Sequence, residues 1–261
     1  MLRRTTFIAI TGSIGKTTTK ECLAGILSAK HKTAMTRYNR NGARGVPRTI
    51  LRVKRQHRYA VVEIGTDVPG QIQRSAAIVR PKIAIILTVA RTHTDNFKTL
   101  EDTAAEKSAL LDFLPRDGIA ILNTEDPRVI AMTEKVRCAV RTFGRSPKAD
   151  IWAEEVTSKW PARLSFRART ASESESVTTN FVGEQWVNSV LAALLAARCC
   201  GMPLRDAVAA VANVQPFLAR MQPVRLPSGA MLIRDEGTAS ADTVDPALKA
   251  QIGRASCRER V

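Results

Sequence analysis

Short apolar runs alternate with segments of helical periodicity over the first half of the chain, and this alternation limits the possible folds more than any other feature. Strands are predicted at residues 7–10, 59–64, 83–87 and 118–122. These runs are almost continuously apolar, which is typical of strands buried on both faces of a parallel sheet. We therefore expect an α/β fold, with a mostly parallel sheet covered by helices on both faces.

The pattern changes after residue 150. Residues 151–182 are predicted to form short strands of alternating polarity, interrupted by a turn at the polar run SESES. A helix is predicted over 187–200, ended by Gly201, and a second helix follows Pro203. The segment PVRLPSGAMLI has the composition of a hairpin with a Pro-Ser-Gly turn. The sheet is thus expected to carry a small additional β segment.

Three regions are predicted along the chain. Residues 1–220 form one large domain, and residues 221–251 form the truncated start of a second α/β domain. Residues 252–261, IGRASCRERV, have no apolar periodicity and are similar to the translated read-through of a sequencing adapter. We expect this last segment to be a non-native tail.

Composition favours a soluble, cytoplasmic protein, which we expect to be a monomer. Apolar residues make up 44% of the 261 residues, enough for a core, and no apolar run is long enough to span a membrane. The five cysteines form no C-x-x-C pair, so they are predicted to be reduced packing residues.

The net charge of +16 is unevenly distributed, because residues 30–58 contain ten Lys or Arg residues and no Asp or Glu. Such a stretch is either a surface for nucleic acid or another polyanion, or simply a solvated face. No nucleic-acid-binding motif accompanies it, so the solvated face is the favoured interpretation and a nucleic-acid partner is not expected.

The segment ITGSIGKTTTKE follows the first predicted strand and opens a helix, as a phosphate-binding loop does. Gly12 and Gly15 allow a tight turn, Lys16 can reach the β- and γ-phosphates, and the Thr17 hydroxyl can bind Mg²⁺. Ile10 stands where the common G-x-x-x-x-G-K-[ST] pattern has its first glycine. The predicted nucleotide-binding residues of the loop are Gly12, Ser13, Gly15, Lys16, Thr17 and Thr18.

This loop and four later segments together resemble the Mur ligases, ATP-dependent amide ligases that assemble the peptide of bacterial cell-wall precursors. The later segments are 59–65 with Pro69-Gly70, 89–93 with Phe97 and 105–107, 121–127, and Asn188 with Ala192-Ala193 before Arg220. The resemblance covers residues 5–250 in order and is closest to the branch that adds D-alanyl-D-alanine to a UDP-muramoyl tripeptide.

The resemblance implies that ATP phosphorylates a substrate carboxylate and that an incoming amine attacks the resulting acyl phosphate. The implied substrates are ATP, a UDP-linked muramoyl peptide and an amino-acid or dipeptide amine. The implied cofactor is Mg²⁺, as one ion or two, together with a carbamylated lysine at Lys107. The implied catalytic residues are Lys16, His93 and Lys107, and the implied metal ligands are Thr17, Glu63, His93 and carbamylated Lys107.

Three further residues are implied to contact the nucleotide: Asn123 and Asp126 at adenine or ribose, and Arg220 at the phosphates. The residues themselves leave other interpretations open. Lys107 lies on an amphipathic helix, where a solvated lysine is usual. Asn123 and Asp126 can shape the turn before Pro127.

Several positions depart from the family pattern, namely Thr88, Gln185-Trp186, Ala219 and residues 234–241. Three alternatives to the ligase of the resembled branch therefore remain. They are a Mur-type ligase for another substrate such as folate polyglutamate or a polyamide, a nucleotide-dependent polyanion-binding ATPase, and a non-catalytic ATP-binding module.

Overall fold

The computed structural model of the chain describes residues 4–91 and 96–238. Its strands are β1 (Thr6–Thr11), β2 (Thr33–Met35), β3 (Tyr59–Glu63), β4 (Ile83–Ile86), β5 (Ile119–Asn123), β6 (Ala139–Gly144), β7 (Ile151–Thr157), β8 (Ser165–Arg169), β9 (Ser174–Thr178), β10 (Gln222–Arg225) and β11 (Met231–Arg234). Its helices are α1 (Lys16–Ser28), α2 (Gly45–Arg52), α3 (Gln71–Val79), α4 (Leu100–Ser108), α5 (Pro127–Ala131), α6 (Val187–Cys199) and α7 (Leu204–Val211).

Within the described residues, nine strands form one sheet in the order β2-β3-β1-β4-β5-β6-β7-β8-β9. The pairs from β2 to β7 are parallel, and β8 and β9 extend the sheet in antiparallel fashion. The prediction of a mostly parallel α/β sheet is therefore confirmed. Because β1 lies between β3 and β4, the segments that leave the carboxyl ends of all three strands meet at one edge of the sheet.

The two faces of the sheet are covered by different helices. Ile8 and Ile10 pack in the same core cluster as residues of α1, α6 and α7. Ala9 between them packs on the opposite side, with residues of α2, α3 and α5. This division follows from the two-residue period of a strand, since successive side chains point to opposite faces. In residues 4–91 and 96–238, no helix is both long enough and apolar enough to cross a membrane.

A separate two-stranded sheet, β10 with β11, begins directly after Arg220. Its turn contains the predicted Pro-Ser-Gly, and Gly229 has φ +85°, which is favourable only for glycine. The domain boundary near Arg220 stays a prediction. The proposed non-native tail at 252–261 lies outside the described residues.

Two local predictions were wrong. Residues 99–102 have the sequence of a capping box, and the apolar residues that follow predict a helix that continues to Leu114. Instead, α4 ends at Ser108 and a short 3-10 helix covers Leu111–Phe113. The polar run SESES was expected to be a turn, but its last three residues begin β9. Backbone pairing with β8 stabilises that strand although its side chains are mostly exposed.

The core between α6 and the sheet gives a direct test of the fold. Leu191 on α6 is fully buried, whereas Leu51 on α2 is 85% exposed. We expect Leu191→Ala to lower the free energy of unfolding by about 2–5 kcal/mol, because a cavity forms where the side chain was. The same substitution at Leu51 should change it by less than about 0.5 kcal/mol. Urea unfolding of both variants measures the difference, and equal losses would contradict this packing.

Candidate functional site

The phosphate loop lies between β1 and α1, and its two glycines are required by close packing. Gly12 has φ +150° and Gly15 has φ +88°. A Cβ atom at Gly12 would lie 2.8 Å from the Leu87 Cβ, and one at Gly15 would lie 2.7 Å from the Ser189 Oγ. A side chain at Gly12 would therefore displace the segment after β4, and one at Gly15 would displace the Ser189 hydroxyl and be strained by the positive φ.

The loop is fastened to the segment that follows β4. The Ser13 amide donates to the Thr88 carbonyl at 2.8 Å, and the Ile14 amide donates to the Thr88 Oγ1 at 3.1 Å. The Ser13 hydroxyl donates to the Ala90 carbonyl and accepts from the Ala90 amide. Ser13, predicted to contact the nucleotide, thus braces the loop through its side chain. Thr88, a departure from the family pattern, supplies the acceptor for Ile14.

The start of α1 is open to an anion. Its N-cap is Gly15, in the left-handed conformation, and no side chain in the described part of the chain caps the helix. The first amides of an α-helix lack partners within the helix and carry a partial positive charge, so they bind anionic groups. Thr17 and Thr18, both buried, lie in this first turn. The predicted phosphate-binding residues thus lie at an uncapped helix start, and phosphate binding there stays a prediction.

Lys16 folds back over the loop. Its Nζ donates to the Gly12 carbonyl at 2.7 Å and to the Ser13 carbonyl at 3.1 Å. Burial lowers the pKa of this ammonium, and the nearby Glu63 carboxylate opposes that change. The two contacts are with neutral carbonyl groups, so a phosphate group could replace them with a stronger charge-assisted interaction.

Glu63, the last residue of β3, is a fully buried carboxylate beside the loop. Its Oε1 accepts from the Thr17 Oγ1 at 3.1 Å and from the Asn41 Nδ2 at 2.7 Å. Its Oε2 has no hydrogen-bond donor among residues 4–91 and 96–238. A buried carboxylate oxygen without a partner is costly unless a cation satisfies it. Glu63 and Thr17 thus lie together as predicted for a metal site.

Arg220 reaches the same point from the far end of the domain. Its Nη2 donates to the Thr17 Oγ1 at 3.3 Å, and its buried Nε has no partner within the described residues. Burial lowers the pKa of the guanidinium, while Glu63 and Asp235 oppose that change. The backbone on both sides of Arg220 has positive φ, +58° at Ala219 and +46° at Met221. The glycine that the family pattern has at position 219 would adopt this conformation more easily.

Lys107 on α4 is buried, with only 2% of its surface exposed, so its interpretation as a solvated surface lysine is wrong. Burial and, second, the charge of Lys16 lower the pKa of its amine to about 7, although Glu106 opposes the change. The Glu106 carboxylate accepts from the amides of Gly70 and Ile72 at 2.7 and 2.8 Å. These bonds hold α4 against the start of α3 and so fix the position of Lys107.

Asn123 and Asp126 have structural roles at the end of β5. The Asn123 Nδ2 donates to the Leu87 carbonyl at 2.8 Å, and its Oδ1 accepts from the Glu125 amide at 2.9 Å. Both Asp126 oxygens accept backbone amides, one from Val89 and the other from the first turn of α5. These bonds agree with the interpretation of a shaped turn. Contact with adenine or ribose stays a prediction.

His93 lies outside the described residues, so its predicted roles in catalysis and in metal binding stay predictions. Within the described ranges, 4–91 and 96–238, no three His, Cys, Asp or Glu side chains are grouped in a way that could hold a metal ion. Mg²⁺ commonly binds through one or two protein carboxylates together with substrate phosphates.

Two site residues were not predicted as ligands or positioning residues from the sequence. Asn41 belongs to the loop between β2 and α2 and donates to Glu63, and Lys20 lies fully buried on α1 near the same carboxylate. Asn41 belongs to the basic stretch that is interpreted as a solvated face, and the sequence before it has no apolar run that predicts a strand. The spacing of Lys16 and Lys20, one helical turn apart, was the only signal for the second residue.

The basic stretch covers β2, the following loop and α2. Arg37, Arg40, Arg44, Arg48 and Arg52 are all exposed, which agrees with a solvated face. The alternative of a polyanion-binding surface stays a prediction.

Comparison with known proteins places this geometry in a family. The profile described as the Mur ligase middle domain matches residues 10–197. The UDP-N-acetylmuramoyl-tripeptide–D-alanyl-D-alanine ligase of Mycobacterium tuberculosis is 30% identical over 246 residues, covering 94% of this chain and 48% of that protein. A crystal structure of MurF from Acinetobacter baumannii has a TM-score of 0.90 and 29% identity, covering 96% of this chain and 55% of the other.

MurF from Thermotoga maritima, solved in complex with ADP, shares the fold with a TM-score of 0.83 at 22% identity, covering 94% of this chain and 56% of that one. The chain spans about half the length of the relatives and structures that it matches. The family profile covers most of the domain, and the phosphate loop, Glu63 and Lys107 lie in order within the matched range. This chain belongs to the Mur ligase family.

Proposed function

We propose that the chain forms the nucleotide-binding part of an ATP-dependent ligase that joins D-alanyl-D-alanine to a UDP-N-acetylmuramoyl-tripeptide. The names of the relatives support the substrates. The observation that carries the mechanism is the contact of Thr17 with both Glu63 and Arg220 at the uncapped start of α1. A cytoplasmic, monomeric protein remains the accompanying prediction.

The residues of this site suit phosphoryl transfer from ATP to a carboxylate. The free amides at the start of α1, with Lys16 and Arg220, would hold the phosphates and stabilise the charge on the transferred group. The acyl phosphate so formed on the tripeptide carboxylate would then be attacked by the amine of D-alanyl-D-alanine, and phosphate would leave. Because the site neutralises negative charge without reacting covalently, its main contribution is positioning and electrostatic stabilisation.

The oxygen atoms around Glu63 fit a magnesium ion. Mg²⁺ prefers hard oxygen ligands, and the Glu63 Oε2 is a buried carboxylate oxygen without a donor in the described part of the chain. The Thr17 Oγ1 lies 3.1 Å from the other carboxylate oxygen and is the second candidate ligand. A bound Mg²⁺ would neutralise charge on the β- and γ-phosphate oxygens.

Lys107 is suited to carbamylation. A lysine amine reacts with carbon dioxide only in its neutral form, and burial lowers the pKa of Lys107 to about 7. Attack of the amine on carbon dioxide with loss of one proton would give a carbamate anion. That anion would be attracted to the Lys16 ammonium, whose charge opposes protonation of Lys107. We therefore include a carbamylated Lys107 in the proposal, as a further anionic ligand near the phosphates.

The substrates can be tested by phosphate release from ATP with the UDP-muramoyl tripeptide and D-alanyl-D-alanine, each omitted in turn. We expect release to require both, and Lys16→Ala to lower it by about 100-fold or more because a cation at the phosphates is lost. Lys30→Ala, at an exposed lysine paired with Asp206, is the matched control and should keep the rate.

Release stimulated by RNA or DNA and independent of both ligase substrates would favour the polyanion-binding ATPase instead. ATP binding without turnover in a full-length protein that carries this chain would favour the non-catalytic module. Release that requires a different carboxylate and amine, such as folate and glutamate, would favour a Mur-type ligase of another specificity.

With carbon dioxide removed, so that Lys107 is a free amine, its lowered pKa predicts a dependence of stability on pH. Between pH 7 and the ordinary value of 10.5, the unfolded chain binds a proton that folded Lys107 has released. Raising the pH through this range therefore stabilises the folded state, by at most about 1.4 kcal/mol per pH unit. The free energy of unfolding is measured in urea for the wild type and for Lys107→Met. The value for the wild type minus the value for Lys107→Met should be larger at pH 9 than at pH 7. An equal difference between the two proteins at pH 7 and at pH 9 would contradict a lowered pKa of Lys107.

The carbamate has its own test. Lys107→Ala should lose activity that added bicarbonate does not restore, because the amine that reacts with carbon dioxide is gone. Short carboxylates such as acetate or formate should restore part of the activity by occupying the vacated space. Unchanged activity in Lys107→Ala would remove this residue from the mechanism.

A further inference from the structure

Lys20 is a lysine whose side chain has 0% exposure, one helical turn after Lys16 on α1. Lysine is almost never fully buried unless its charge is paired, because transfer of an ammonium group from water is costly. The role of this residue is not explained by the phosphate loop, since Lys16 already occupies the position facing the phosphates.

The Lys20 ammonium is held by three neighbours from different segments. It donates to the Tyr38 carbonyl, it lies 2.9 Å from the Glu21 Oε1, and it lies 5.3 Å from the centre of the Phe217 ring. Tyr38 belongs to the same loop as Asn41, and Phe217 lies three residues before Arg220. Lys20 thus connects α1 to the loop that carries Asn41, which donates to Glu63, and to the segment that carries Arg220, which donates to Thr17.

The distance from Lys20 to Glu63 is also informative. The Nζ lies 3.8 Å from the Glu63 Oε2, which is close enough for attraction but too far for a hydrogen bond. Tyr38 and Glu21 hold the ammonium at this distance. As a result, Oε2 has a cation nearby and yet accepts no hydrogen bond in the described residues. A closer ammonium would occupy the lone pairs that a metal ion needs.

We propose that Lys20 is a positioning residue for the magnesium site: it fixes the Asn41 loop against α1 and holds the Glu63 carboxylate in place while leaving its Oε2 free. This inference rests on the proposed function, because it assumes that Mg²⁺ with a nucleotide binds at Glu63. In this proposal Lys20 is not a ligand of the metal and acts through Glu63 and through the loop that carries Tyr38 and Asn41.

If Lys20 had no positioning role, its removal would change the affinity for Mg²⁺ in the opposite direction. An ammonium that does no more than sit near the metal repels it, so its removal would tighten the binding of Mg²⁺. A positioning residue behaves differently, because removing a partner that orients a metal ligand typically weakens metal binding by about 10–100-fold. The direction of the change therefore separates the two roles.

The test uses the 261-residue chain and its binding of ADP, measured by isothermal titration calorimetry with Mg²⁺ and with EDTA. In Lys20→Met we expect the Mg²⁺-dependent gain in ADP affinity to fall by about ten-fold. The affinity in EDTA should stay within about two-fold of the wild type, because the loop and Lys16 are unchanged. The matched control Lys30→Met, at an exposed lysine, should change neither value.

Lys20→Gln is the second variant, since its amide can still donate to the Tyr38 carbonyl while the charge is lost. Circular dichroism and thermal melting establish that each variant folds, and Lys20→Gln carries the comparison where Lys20→Met does not fold. We expect Lys20→Gln to lose part of the Mg²⁺-dependent gain as well.

A double-mutant cycle with Glu63→Gln separates action through Glu63 from a general loss of structure. If Lys20 acts through that carboxylate, Lys20→Met should have little further effect on the Mg²⁺ dependence in the Glu63→Gln background. Additive losses, or a Mg²⁺ dependence that is unchanged or stronger in Lys20→Met, would overturn the role of Lys20 alone. Failure of the wild-type chain to bind ADP with Mg²⁺ would overturn the proposed function, and this role with it.

Discussion

The parallel pairing of β1 between β3 and β4 is the constraint on which the site depends. Ile10 is paired with Glu63 on one side and with Ile85 on the other. This register places the phosphate loop, the Glu63 carboxylate and the segment after β4 at the same edge of the sheet. Parallel strands require long crossover connections, so the residues that meet there are far apart in the chain. The packing of helices on both faces keeps the register, because a shift by one residue would turn apolar side chains away from their core.

The charges at this edge are balanced in an unusual way. Glu63 is a fully buried carboxylate, and Lys16, Lys20 and Arg220 are the cations around it. These three cations at one edge of the sheet suit a polyanionic nucleotide, whose phosphates would add further negative partners. The unmodified amine of Lys107 is only partly protonated near neutral pH, since burial lowers its pKa to about 7. A buried site of this kind is arranged for ligands that bring their own charge, and it gains its full set of partners only when they bind.

Much of the fold could be predicted from local patterns. The apolar runs located β1, β3, β4 and β5 to within one or two residues, and Gly201 ended α6 as expected. Elements with weaker patterns were missed, among them the three-residue β2 and the helix α2. Helix α2 contains both a glycine and a proline in its first turn and has no acidic residue, so its sequence carries few signs of a helix. Partners in the tertiary structure stabilise such elements, and a local pattern does not contain those partners.

The candidate site likewise has a part that local sequence patterns predict and a part that depends on contacts between distant segments. The phosphate loop could be predicted from its own residues, because glycine conformations, a buried strand and a helix start are local properties of neighbouring residues. The contact of Arg220 with Thr17, 203 residues earlier, and the contact of Asn41 with Glu63 result from the packing of distant segments. The same packing buries Lys20 and Lys107, although a lysine on a helix is usually solvated. Burial and charge pairing depend on which distant segments pack together, and that information becomes available only when the sheet has brought those segments to one edge.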